Sequence, residues 1–247
     1  MYAENYIADQ FKVQVSAIKP LLLAVGVALV LLLVGMRMLP EESTPLMAKV
    51  MSLLCPTLAS AGVGAYVGRN LRGWLPVIGL FIVSVIGIFI IQAMAASVLA
   101  TPLLLGWGFI NGMLLGPLVA FALAEAGPQV VVQALTGTTA VMMGAGLIVF
   151  ATGIDFSFLM PLLFIGLMGL IVIGLIGIFV RFSRGMTGGY SILGMVIFAG
   201  YFLYDFFRAS KSANTWAMAT RLTTQLYLDF ANFFIYLLQF LLSSKRR

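Results

Sequence analysis

Long apolar runs, broken by short polar or Gly/Pro-bearing segments, organise this chain from about residue 20 to its end. A helix needs roughly 20 residues to cross a hydrocarbon core, so the runs predict spans at about 20–39, 47–68, 74–97, 102–124, 130–152, 158–180, 188–207 and 216–241. The punctuation between them is of the kind that stops helices: Pro40-Glu41-Glu42, Arg69-Asn70-Leu71-Arg72-Gly73, Ala126-Gly127-Pro128. The 47–68 run is the weakest, rich in small residues and interrupted by Cys55-Pro56, so a re-entrant or tilted helix is an alternative there. Gly64/Gly68 and Gly112/Gly116 have the small-xxx-small spacing that lets helix backbones approach closely, and tight packing is the expected role for them.

Composition supports the same class. Hydrophobic residues make up 62% of the 247 and charged residues only 9%. A soluble domain carries about 25% charged residues, so the expectation is an all-α, polytopic transmembrane helix bundle of seven to eight spans. Residues 1–19 form a polar N-terminal segment and 20–99 the N-terminal helices. A core follows over 100–242, and 243–247 is a basic tail ending in Lys245-Arg246-Arg247. The net charge of +6 is scattered over loops and ends. That excludes the basic face a nucleic-acid binder needs and suits a membrane-surface or topogenic role. With one cysteine, Cys55, and no histidine, an internal disulfide is impossible and a soft metal site is not expected. Glu125 is placed at a helix end beside the Gly127-Pro128 turn.

Against this background two acids stand out, Asp205 and Asp229, each inside a strongly apolar run. A carboxylate at the centre of a spanning helix costs roughly 2.5–3.5 kcal/mol on insertion scales, which makes such a residue a functional candidate. Arg221, Gln225, Asp229 and Asn232 recur at helical spacing and share one face of the last helix. Tyr201, Tyr204, Asp205 and Arg208 surround one turn of the helix before it. A short connection makes these two helices antiparallel neighbours. Asp205 lies near the end of its helix and Asp229 well inside the next, so only a tilt or a displaced helix start brings them level. Two carboxylates in a poorly hydrated place cannot both stay ionised cheaply and would titrate as a coupled pair. Oxygen-rich pairs suit a hard cation such as Ca²⁺, provided Tyr, Asn, carbonyl or water oxygens complete the shell. A local alternative pairs Asp205 with Arg208 and Asp229 with Arg221.

The run Gly200-Tyr201-Phe202-Leu203-Tyr204-Asp205, followed 24 residues later by Asp229-Phe230-Ala231-Asn232-Phe233-Phe234, resembles the Bax-inhibitor family of membrane proteins. Asn111-Gly112-Met113-Leu114-Leu115-Gly116-Pro117 and the loop Asp155-Phe156-Ser157-Phe158-Leu159 extend the resemblance over about 100–242. It implies a seven-helix fold, here with an extra N-terminal helix, and a pH-sensing aspartate pair at Asp205 and Asp229 in a Ca²⁺-leak pathway. It also implies a latch arginine that neutralises the first aspartate. Arg69 and Arg72 are the candidates, with Arg208 or Arg221 as local substitutes. The resemblance places the Asp205 end of its helix in the cytoplasm or matrix, whereas the distribution of Lys and Arg favours the reverse.

The expected function is a pH-sensitive cation channel or leak pathway for Ca²⁺, not an enzyme, with no cofactor beyond the transported or gating Ca²⁺ or H⁺. The alternative is a non-transporting membrane partner, such as a modulator of a membrane-bound AAA protease or an accessory subunit of a larger complex. Partners are the lipid bilayer and the cation, with no nucleic acid. The expected location is a bacterial inner membrane, with the mitochondrial inner membrane as the other candidate. An intramembrane aspartyl protease is disfavoured, because Tyr204 and Leu228 precede the two acids where that class carries a Gly-Leu-Gly-Asp-type motif.

Overall fold

The computed structural model describes residues 34–37, 41–180 and 182–245. The expected polar segment 1–19, nearly all of the expected first span 20–39, and Arg246 and Arg247 of the tail lie outside the described residues. A 3-10 turn at Glu41–Ser43 leads into seven helices: α1 (Leu46–Gly68), α2 (Trp74–Ala93), α3 (Ala100–Ala126), α4 (Pro128–Thr152), α5 (Leu159–Phe179), α6 (Arg184–Ser210) and α7 (Trp216–Lys245). All seven contain a stretch long and apolar enough to cross a membrane. The 47–68 segment is one continuous helix of spanning length, with Pro56 inside it. Thr57 donates its hydroxyl to the Leu53 carbonyl at 2.7 Å, beside the position where Pro56 supplies no backbone donor.

The stops work as local chemistry requires. Gly127, at φ +77°, is the single residue between α3 and α4, and Pro128 opens α4 where its missing N–H is no loss. Gly153, at φ +64°, ends α4 in the left-handed conformation, its N–H donating to the Val149 carbonyl at 3.0 Å. Glu125 is exposed in the last turn of α3, as expected.

Two helix faces build the bundle. α1 and α3 run parallel along a glycine seam, the most extensive contact between any two elements. A Cβ on Gly112 would come within 2.0 Å of the Ala61 carbonyl oxygen, and one on Gly64 within 2.1 Å of that of Phe109. Gly68 and Gly116 leave almost as little room, with backbone atoms 2.3 and 2.6 Å from where a Cβ would stand, so the expected packing role of all four holds, and Gly108 against Thr57 extends the seam. α7 is the central helix, touching α1, α2, α3, α4 and α6. By contrast α2 and α5, the most apolar helices, sit outermost, with 11% of their most apolar stretch buried against 44% for α6 and α7. Side chains that meet lipid need no polar partner, whereas α6 and α7 carry polar groups that the protein itself must satisfy.

Candidate functional site

The α6–α7 hairpin decides whether the two acids meet. Phe202 faces Phe233, with ring centroids 6.0 Å apart, and Phe198 stacks on Tyr236 at 5.9 Å. Each step back along α6 is therefore a step forward along α7, and position 205 falls opposite position 229. For this register α7 must start about 12 Å further out than α6 ends, at 1.5 Å of rise per residue. The five residues Lys211 to Thr215 separate the helices, and at up to about 3.4 Å per residue they span that offset. The displaced helix start is thus the device that levels the pair.

Asp205 and Asp229 are both buried, 5% and 6% exposed. Their carboxyl groups lie within hydrogen-bonding reach of each other. Two ionised carboxylates this close repel each other, and a proton held between them would replace the repulsion with a hydrogen bond. Oδ2 of Asp229 is buried with no hydrogen-bond partner, and so is Oε1 of Gln225 one turn away on the same face of α7. Tyr201 lies within electrostatic range of both carboxyls. Among the described residues no group of three or more His, Cys, Asp or Glu side chains comes together. Two carboxyls and one amide oxygen fall short of the six to eight oxygens that hold Ca²⁺ firmly.

The other expected residues divide by position. Arg208 is half-buried and acts on Asp205 electrostatically, but among the described residues neither aspartate forms an ion pair within 4 Å. The local pairings of Asp205 with Arg208 and Asp229 with Arg221 are therefore not made; Arg221 is exposed, two turns from Asp229. Tyr204 packs against the core beside the pair. Asn232 donates to the Leu228 carbonyl at 2.8 Å and lines a cavity between α5, α6 and α7. The structure does not bring Arg69 and Arg72 to the pair. They follow the last residue of α1, at the end of the bundle remote from the start of α7, and Arg69 lies over the Tyr66 ring at 4.0 Å. The exposed Asp155 belongs to the α4–α5 connection. Hydrogen bonds from the Ser157 side chain and backbone hold its carboxyl below the ordinary carboxylate range, so it stays a surface anion apart from the pair.

Two buried cations escaped the sequence reading as site neighbours. Arg37 donates to the carbonyls of Ala95 and Trp216, both at 3.2 Å, and also to the Ser97 carbonyl and the Thr220 hydroxyl. Lys49, fully buried, donates to the Asn214 carbonyl at 3.1 Å and its side-chain oxygen at 3.0 Å. Both cations lie 5.5 Å from the centroid of the Trp216 ring. They fasten the start of α7, and through it the offset that sets the register. The available signal was a lysine just inside a spanning run, which reads from sequence as an interfacial charge.

Comparison with known proteins agrees with this architecture. The family model described as "Inhibitor of apoptosis-promoting Bax1" matches residues 43–247, all seven helices included. An uncharacterized protein of Campylobacter jejuni is 29% identical over 207 residues, covering 79% of this chain and 87% of its own length.

Proposed function

Because the chain belongs to the Bax-inhibitor family of integral membrane proteins, we propose that it is a pH-sensitive cation leak pathway, for Ca²⁺ as the preferred ion, gated by the protonation of Asp205 and Asp229. The observation that carries this reading is the pair itself: two buried carboxyls in mutual contact, with no ion-pair partner among the described residues. A structural acid buried this way would be matched by a cation or a full set of donors. Here one oxygen of Asp229 remains unbonded.

The mechanism follows from electrostatics. With one proton between them, the carboxyls attract, α6 and α7 stay locked in register, and the path is shut. Loss of that proton leaves two like charges in a poorly hydrated place, which repel unless a cation enters between them. Rising pH therefore favours the open, cation-accepting state, and falling pH restores the shared proton. The protein's contribution is the buried geometry and the field of the pair; the unbonded oxygens of Asp229 and Gln225 add ligands.

The test is Ca²⁺ influx into proteoliposomes between about pH 6 and 8, the range in which a perturbed carboxyl pair can exchange its proton. Flux should rise with pH in the wild type. Asp205→Asn and Asp229→Asn should each lose the pH dependence while running as single folded species. Wild-type flux no greater than that of empty liposomes would sink the leak pathway.

A further inference from the structure

Gln225, Asp229, Asn232, Tyr236, Gln239 and Ser243 recur along α7 at spacings of 4, 3, 4, 3 and 4 residues. That period keeps all six on one face of the helix for about 27 Å of rise, most of a bilayer core. On a helix central to the bundle, so long a polar stripe is costly unless water reaches it. Two cavities lie along it. The outer one, of about 550 Å³, is lined by Thr187, Tyr190, Gln239 and Ser243, where α6 begins and α7 ends. The inner one, of about 380 Å³, sets Tyr190, Asn232 and Tyr236 against Phe198 and the apolar side chains of α5. Gly174 and Tyr190 belong to both walls, so the cavities adjoin at that point.

The junction is built with care. Tyr190 donates its hydroxyl to the Leu170 carbonyl of α5 at 3.0 Å, and its oxygen stands 3.2 Å from the Tyr236 hydroxyl. With its one proton committed to Leu170, Tyr190 accepts from Tyr236, so three helices are tied by two bonds. Both rings rest on glycines. A Cβ on Gly174 would come within 2.9 Å of the Tyr190 hydroxyl, and one on Gly194 within 2.4 Å of the Tyr236 ring. Phe182 meets Tyr190 edge-on at 6.1 Å, and Phe198 stacks on Tyr236. Beyond Tyr236 the stripe reaches Asn232, then Asp229 one turn on, with Tyr201 facing the carboxyls from α6.

We propose that the cation reaches the aspartate pair from the end of the bundle where α6 begins and α7 ends, through a water-filled passage along the polar stripe of α7, and that the Tyr190–Tyr236 hydroxyl pair is a second barrier in that passage. This rests on Asp205 and Asp229 being the cation site. The outer cavity serves as the vestibule: between the apolar walls of Leu118, Phe121, Phe182 and Leu242 it offers hydroxyl and amide oxygens and no carboxylate, which suits a cation that still holds its water. The inner cavity is the stage at which Asn232 and Tyr236 replace part of that water before the carboxyls take over. Opening requires the tyrosine pair to part and α5 to release its hold on Tyr190.

Cysteine accessibility tests the passage without relying on flux. In a Cys55→Ser background, Ser243→Cys and Asn232→Cys are introduced singly, and each protein, in proteoliposomes open to reagent on both faces, is treated with a charged, water-soluble methanethiosulfonate. Ser243→Cys should react readily and Asn232→Cys slowly. Adding Tyr190→Ala should speed Asn232→Cys by well over tenfold, because it removes the ring that fills the passage as well as the two hydroxyl bonds, which account for about tenfold. Tyr190→Phe, which keeps the ring, should give a smaller increase and shows that any gain does not come from unfolding. Equal Asn232→Cys rates with and without the Tyr190→Ala substitution would overturn the barrier. A Ser243→Cys that reacts only with a lipophilic maleimide would overturn the passage, because lipid chains would then fill the vestibule. Should labelling behave as expected while wild-type flux is absent, the leak reading fails and the hydrated passage stands.

Discussion

Gln225 places an amide oxygen, buried and unbonded, one turn from an equally unbonded oxygen of Asp229. Leaving a buried acceptor unsatisfied costs about 1–3 kcal/mol, so selection for stability alone favours an apolar side chain here. Gln225→Leu should therefore leave the melting temperature unchanged or raise it, while lowering Ca²⁺ flux several-fold by removing a ligand from the path. Thermal unfolding in detergent and the liposome assay together read the split. Flux that survives the substitution intact would take Gln225 out of the cation's route. The acids themselves were legible from sequence, since a carboxylate in a spanning run has few structural uses. Their contact was not. It depends on the start of α7 lying about 12 Å beyond the end of α6, and that offset is held by Arg37, Lys49 and Trp216, residues with no pattern linking them along the chain.

The α1–α3 seam is where helix identity turns into architecture. With lipid outside and no hydrophobic gain from association, these helices hold together by close backbone approach. Gly112 has the Ala61 carbonyl 2.0 Å from where a Cβ would stand, whereas Gly106 on the same helix has nothing within 4 Å. Gly112→Ala should thus destabilise by about 1–3 kcal/mol through overpacking, and Gly106→Ala should be neutral or mildly stabilising, since Ala is the better helix former. Melting temperatures of the two variants in one detergent check the contrast; equal effects would mean that the seam opens at no cost. The seam's glycines were readable because their four-residue spacing is a helical repeat. That α1 pairs with α3 and not with its sequence neighbour was not readable, because α2 is apolar on every side and presents no face that marks its exclusion to the lipid. Pro56 misled in the same way: a proline suggests a break, but the helix continues through it with side-chain hydroxyls at hand.

Across the whole molecule, seven spans carry the chain from one face at Leu46 to the other at Lys245, so the faces differ in charge and in access to the site. Arg69, Arg72, Arg181, Arg184 and Lys245 to Arg247 belong in sequence to the face where α7 ends; Arg208, Lys211 and Arg221 belong to the other, with Arg37 and Lys49 buried against Trp216. Cations committed inside the bundle still count during insertion, yet the balance favours the α7 terminus as the side retained in the compartment of synthesis. This is the reverse of what the family resemblance implies for the Asp205 end. A fluorescent reporter fused after Arg247 should accordingly be active in the cytoplasm, and an exported phosphatase fused there inactive. Under the proposed mechanism, that orientation would make the Tyr190–Tyr236 barrier the cytoplasmic one and would have the aspartate pair, nearer the opposite face, sense the pH outside. The opposite reporter result would invert both assignments: the pair would read internal pH, and the hydrated vestibule would open to the exterior.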